Sequence, residues 1–204
     1  MKFSGLILVI FFMTADVGVR RVFSQDYISV FSQDYTSRLS LEIDPVSFIY
    51  RGYSLHFRYQ PMFSQRFLIG GGTYAMDLPG VFVNMNEENR DEGWRVRIKN
   101  AYLMYGELYF KEANHGWFFG QQLGFQAFKV SNNREVSGSA RFNNLVVMAS
   151  LGYSWHPYKG SFFIKPWAGL GFTEKVDGVN RIKGVKYDIA ALFPYFTFHA
   201  GYNF

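Results

Sequence analysis

The chain has 204 residues, a formal net charge of +5 and a mean hydropathy of −0.06. Hydrophobic residues make up 49% and charged ones 18%, which excludes a disordered chain and a bundle of membrane-spanning helices. Cysteine is absent, which excludes disulfides, thiolate catalysis, Cys-ligated zinc and iron–sulfur clusters. Aromatic residues reach 20%, a load that needs a surface to sit on.

The first element is MKFSGLILVIFFMTA, with Lys2 ahead of the unbroken apolar run Leu6–Met13. That run is too short to span a bilayer as a helix and fits the core of a secretory signal peptide. Cleavage fits after Ala15 or after Ser24, giving a signal peptide over 1–24 at its longest. Residues 22–29 and 30–37 repeat as VFSQDYIS and VFSQDYTS. Two copies of eight residues are too few for a solenoid, so 25–37 reads as a polar leader before the domain. No Lys/Arg-dense stretch stands out, and nucleic acid is not an expected partner.

From residue 38 the dominant signal is alternation with period two. It predicts strands over 38–48, 53–60, 67–76, 94–111, 117–128, 144–155, 162–173 and 194–204. The last is the clearest. Phe196, Phe198, Ala200, Tyr202 and Phe204 share one face, against Tyr195, Thr197, His199, Gly201 and Asn203 on the other. Breaks at 61–66, 112–115 and 156–160 are short. Polar stretches at 77–93, 131–140 and 174–184 are long. The first hairpin is tight near Tyr50–Gly52 unless Asp44–Gly52 is itself the loop.

Alternation alone does not separate a soluble sheet from a barrel whose apolar face meets lipid. Three features favour the barrel. The strands run to about ten residues, enough for a tilted crossing. Trp94, Phe110, Trp117, Tyr153, Trp155 and Phe204 sit near strand ends, where interfacial girdles belong. Short and long connections alternate. The fold class expected is therefore all-β: an eight-stranded antiparallel up-and-down transmembrane β-barrel over 38–204.

With its aromatic last strand Tyr195–Phe204, its leader 1–15 and its alternation over 38–204, the chain resembles small outer-membrane β-barrel proteins of Gram-negative bacteria, of the OmpA/OmpX/OmpW-like kind. The resemblance implies an outer-membrane location, lipid as a partner and a monomer without a soluble C-terminal domain. It also implies that Phe198, Tyr202 and Phe204 are read by the barrel-insertion machinery. It implies no cofactor and no catalytic motif.

The expected interior set is Glu42, His56, Arg58, Arg95, Arg97, Lys99, Glu107, Lys165 and His199. Charges away from water must pair, so these residues are expected to form an ion network filling the lumen. Glu42, His56 and His199 fall on neighbouring strands, and the alternative is a metal or proton-linked site made by them. For a lipid hydrolase, His115, His156, Ser154 and Ser161 are candidates without a local acid. Gly70-Gly71-Gly72 lacks the features of a phosphate loop and reads as tight packing in a wall. The acidic run 86–93 reads as a solvated loop rather than a calcium site. The main functional expectation is a structural or surface-interaction role. The rivals are a narrow conduit or binding barrel for a small or apolar solute, a lipid-modifying enzyme, and a soluble lipocalin-like carrier.

Overall fold

The computed structural model describes residues 38–204 apart from 133, 135, 136 and 159. The leader and its duplication lie outside the described residues. By backbone proximity, Ser37–Pro61 and Gln65–Phe204 form one unit; the other contributes only Met62–Ser64 to the described residues.

Ten strands are described: β1 (Arg38–Ile43), β2 (Tyr53–Gln60), β3 (Phe67–Asp77), β4 (Trp94–Tyr109), β5 (Gly116–Asn132), β6 (Gly138–Ser154), β7 (Phe162–Gly178), β8 (Arg181–Ile182), β9 (Val185–Lys186) and β10 (Leu192–Asn203). Eight of them pair antiparallel in the order β1-β10-β7-β6-β5-β4-β3-β2, and β1 pairs with both β2 and β10, closing the order on itself. The short β8–β9 hairpin stands apart.

The first connection is the long alternative of the two expected. Pro45–Ile49 form helix α1, and the Asp44 carboxylate caps it by accepting the Val46 N–H at 2.9 Å. Asp then Pro is a helix-start pair: the carboxylate satisfies an orphan donor, and proline has none to lose. The return into β2 needs Gly52, because a Cβ there would lie 1.6 Å from the Ala75 carbonyl oxygen. At the same end, α2 (Gly80–Val83) and a 3₁₀ turn (Glu87–Asn89) follow β3. The strands run further than alternation predicted. β5 continues to Asn132, β6 starts at Gly138 and β7 reaches Gly178, so 131–140 and 174–184 are partly wall rather than loop.

The wall changes character along its length. In the half nearer the short turns, the outer face is apolar: Leu41, Phe57, Met104, Leu123, Leu151 and Phe198 are exposed. The inner face there is polar: Ser40, Glu42, His56, Arg58, Glu107 and Lys165 are buried. In the half nearer the long loops, the pattern inverts. Trp94, Val96, Ile98, Phe128, Val130 and Phe142 are buried in one apolar cluster, while Arg95, Lys99 and Arg141 are exposed outside.

The inversion on β4 comes from a bulge. The register with β5 shifts between Ile98 and Asn100, so Lys99 is an extra residue. One inserted residue moves every side chain beyond it to the other face. Even-numbered residues therefore face inward above the bulge (Trp94, Val96, Ile98) and outward below it (Tyr102, Met104, Leu108). This corrects two expectations. Trp94 is not in a girdle but is buried, its ring 5.4 Å from that of Tyr187. Arg95, Arg97 and Lys99 are not interior.

Candidate functional site

The short-turn half of the lumen is crossed by an ionic plate. Five strands supply it because their inward positions fall at one level: Glu42 is in register with His56, His199 with Lys165, and Glu107 comes from β4. Lys165 Nζ donates to Glu42 Oε1 at 2.9 Å and to Glu107 Oε1 at 2.5 Å. Arg58 Nη2 donates to Glu107 Oε2 at 2.8 Å, and Arg58 Nη1 lies 3.4 Å from Glu42 Oε2. Two carboxylates thus face one guanidinium and one ammonium, and the formal charges cancel. That cancellation lets four ions sit out of water, where any one alone would be prohibitive.

Two tyrosines complete the plate. Tyr105 OH donates to Glu42 at 3.2 Å, and Tyr109 OH donates to Glu107 at 3.0 Å while accepting from Arg58 at 2.8 Å. Sequence reasoning missed both. The available signal was that Tyr105 and Tyr109 share the parity of Glu107 on one strand. Small wall residues make the room. A Cβ on Gly70 would meet the Tyr105 ring at 2.4 Å, and one on Gly72 the His56 ring at 2.8 Å. Small residues beside large ones are how a narrow barrel fits its contents.

The structure therefore brings together Glu42, His56, Arg58, Glu107, Lys165 and His199. Arg97 and Lys99 lie elsewhere. Arg97 is half-exposed and bridges Asp77 at 2.6 Å, and Lys99 is an exposed bulge residue. His199 Nδ1 sits 2.9 Å from Glu42, and the His56 ring is 4.8 Å from that of His199. One ligand atom from each of Glu42, His56 and His199 fits within 4.8 Å of the others. The donor set does not fit a divalent cation, however. Both Glu42 oxygens are already held by Lys165 and one by His199, and a metal there would face the Lys165 and Arg58 charges.

Beyond the plate, toward the long loops, lies a cavity of about 100 Å³, with an open mouth. His56, His199 and Trp167 lie at its plate end, and Leu103, Met148 and Phe193 are among its apolar lining. The His56 Nδ1 is buried and has no hydrogen-bond partner. Pro79, Phe82, Met85 and Ile189 stand at the loop end. Two loops are latched there. Asn89 Nδ2 donates to the Asp188 carbonyl at 2.5 Å, and the Asp188 N–H donates to Asn89 Oδ1 at 3.2 Å. Tyr187, between them, is fully buried, and burial raises its phenol pKa.

On the other side of the plate, Leu68, Tyr109, Ala113 and Phe118 form an apolar floor. The His115 and His156 rings stack there at 4.2 Å. Burial, and then the neighbouring His115, lower the His156 pKa below the usual imidazole value. Its Nε2 lies 3.3 Å from Asn203 Nδ2. Ser154 Oγ is buried without a partner. Among the described residues the hydrolase candidates thus do not assemble as a Ser–His–acid relay.

No protein-family model matches the chain, and no curated protein matches it. Among solved structures it is similar to the N-terminal β-barrel domain of Pseudomonas aeruginosa OprF. There the TM-score is 0.41 at 12% identity, covering 82% of this chain and 96% of that one. It is also similar to Ail, the attachment invasion locus protein of Yersinia pestis (TM-score 0.42, 14% identity, 82% and 97% covered). Neisserial surface protein A aligns at a TM-score of 0.34 and 8% identity, with 82% and 94% covered.

Proposed function

We propose that this chain is an eight-stranded, monomeric, up-and-down transmembrane barrel of the bacterial outer membrane, with a structural or surface-presenting role. The observation that carries this reading is the inversion of the wall. An apolar outside over a polar inside suits hydrocarbon; a charged outside over an apolar inside suits water. The height of the apolar band agrees. Trp117 and Phe125 bound it on β5, eight residues apart. At ~3.4 Å per residue and a tilt of about 40° that is about 21 Å, a little under the ~25 Å apolar band of outer-membrane barrels. Trp117, Tyr153, Trp155 and Phe162 ring its lower edge, as interfacial aromatics do. A strand order without a free edge meets the requirement that every backbone group be paired in lipid.

The ionic plate and the floor beneath it occupy the lumen with Arg58, Lys165, Tyr109 and Phe118, which argues against an open conduit. On this reading the 1–24 segment directs export. The outward Phe198, Tyr202 and Phe204, at the short-turn end, form the insertion signal. The segments 78–93 and 179–191 face the exterior. The membrane reading predicts that the protein leaves a membrane fraction only with detergent and changes gel mobility on boiling. Full solubility without detergent contradicts it.

A second reading is favoured by one observation: an apolar cavity with an open mouth above the plate. The cavity is on the order of the ~150 Å³ apolar void that holds benzene. It suits a small apolar body. Titration with 4-fluorophenol should give a saturable ¹⁹F shift that Val146→Phe, which fills the cavity, abolishes.

A further inference from the structure

From the outer wall just beyond the apolar band, we infer a binding site for a phosphate-bearing lipid headgroup, built on Arg97, Lys129 and Arg141. These residues lie on three consecutive strands and are direct cross-strand partners: Arg97 with Lys129, and Lys129 with Arg141. Residues paired this way have Cβ atoms about 5 Å apart, and like charges so placed repel. Arg141 is exposed, Arg97 and Lys129 are half-buried, and the exposed bulge residue Lys99 adds a fourth cation beside them. Exposed acids flank the row, Glu174 among them, opposite Leu145 on β7. Asp77 bridges Arg97 at one end, and Asp177, on β7, accepts from Asn143. With Arg97 paired to Asp77, the remaining charge of the row lies on Lys129 and Arg141, direct cross-strand partners that draw an anion from outside the chain.

The position of the row selects the anion. The row Tyr102–Phe125–Leu145 closes the apolar band, the row Asn100–Ala127–Asn143 follows, and the basic row comes next. On β5 the basic Lys129 is four residues beyond Phe125, so it stands about 10 Å above the hydrocarbon edge at the tilt used above. Lys and Arg side chains reach several ångströms back toward that edge, into the headgroup layer. A headgroup phosphate meets the row there, its acyl chains lying along Phe125, Leu145 and Leu123. A soluble phosphate would have no use for this continuity of basic row and apolar wall.

This inference rests on the membrane reading, and the two fail differently. Native mass spectrometry of the micelle-solubilised protein, titrated with dilauroyl phosphatidic acid or dilauroyl phosphatidylcholine, reads lipid adducts directly. Wild type should retain phosphatidic acid at least tenfold better. The outer-wall double variant Lys129→Gln/Arg141→Gln should lose about tenfold of that retention, from the removal of two cations. Lys111→Gln, in a turn at the opposite end, should keep it, and millimolar inorganic phosphate should not displace the lipid. Equal uptake of the two lipids overturns the site. So does a preference that survives the double substitution, falls equally in Lys111→Gln, or is competed away by inorganic phosphate. A protein that needs no detergent overturns the membrane reading itself.

Discussion

The two halves of the barrel interior are filled on opposite principles. Around Glu42 and Lys165, where the wall outside is apolar, the lumen holds ions that cancel one another. Around Phe128 and Phe142, whose rings stack at 5.1 Å, the wall outside is charged and the lumen holds hydrocarbon. On the membrane reading, one continuous set of strands serves two solvents: the side that meets the surroundings matches them, and the lumen takes what is left. The consequence for stability is asymmetric. A broken ion pair leaves a buried charge, while a truncated ring leaves only a void.

The first way to break this comparison is to remove one ion. Lys165→Met leaves Glu42 and Glu107 short of a counter-charge, and should destabilise the barrel by about 3–5 kcal/mol. The double variant Glu42→Gln/Lys165→Met keeps the Arg58–Glu107 pair and should lose much less than the two single losses summed. Urea unfolding in micelles measures both. In the apolar half, Phe142→Ala should cost about 3 kcal/mol or more through lost contacts and a void, with no rescue by any change of charge.

The same substitution on the outer face should read the boundary itself. Leu123→Arg, within the apolar band, should cost about 2–4 kcal/mol in a bilayer, and Ser139→Arg, beyond it, only about 0–1 kcal/mol. Equal costs at the two positions would remove the boundary. The smallest expected effect is at the floor. The folded protein holds the His156 pKa below 6.5, chiefly through burial and then through His115. The unfolded chain therefore binds the proton more readily. Stability should be intact above pH 6.5 and fall as the pH drops below it toward the folded value. Unfolding midpoints at pH 7.5 and 5.5 should differ less in His156→Gln than in wild type.

Much of this was legible in the alternation, because a strand between two unlike surroundings must write its two faces into the sequence. β2 and β10 follow the predicted pattern of faces residue by residue. β4 does not, and the reason is local. Trp94, Val96 and Ile98 share parity with Tyr102 and Met104, yet the bulge at Lys99 turns them to opposite sides. The adjacent polar pair Lys99-Asn100 was the only mark of it, and without it Arg97 and Lys99 read as interior. The plate was half legible. Glu42, His56, Glu107, Lys165 and His199 could be placed at similar depth from the strand pattern. That Lys165 reaches both carboxylates, or that Tyr105 and Tyr109 close the plate, follows from shear around the barrel, which no local period encodes. Helix α1 announced itself only as Asp44-Pro45, and the β8–β9 hairpin, two residues a side, is too short for any period to register.

The central claim concerns which surface of the wall meets hydrocarbon. The chain has no cysteine, so a nitroxide can be attached at a single introduced one. Spin labels at Leu123→Cys and at Ser139→Cys, in the protein reconstituted into phosphatidylcholine vesicles, report collision with oxygen and with a water-soluble nickel chelate. The account predicts that the label at 123 meets oxygen and is shielded from nickel, while the label at 139 is open to nickel. Nickel access at 123 equal to that at 139 would contradict it.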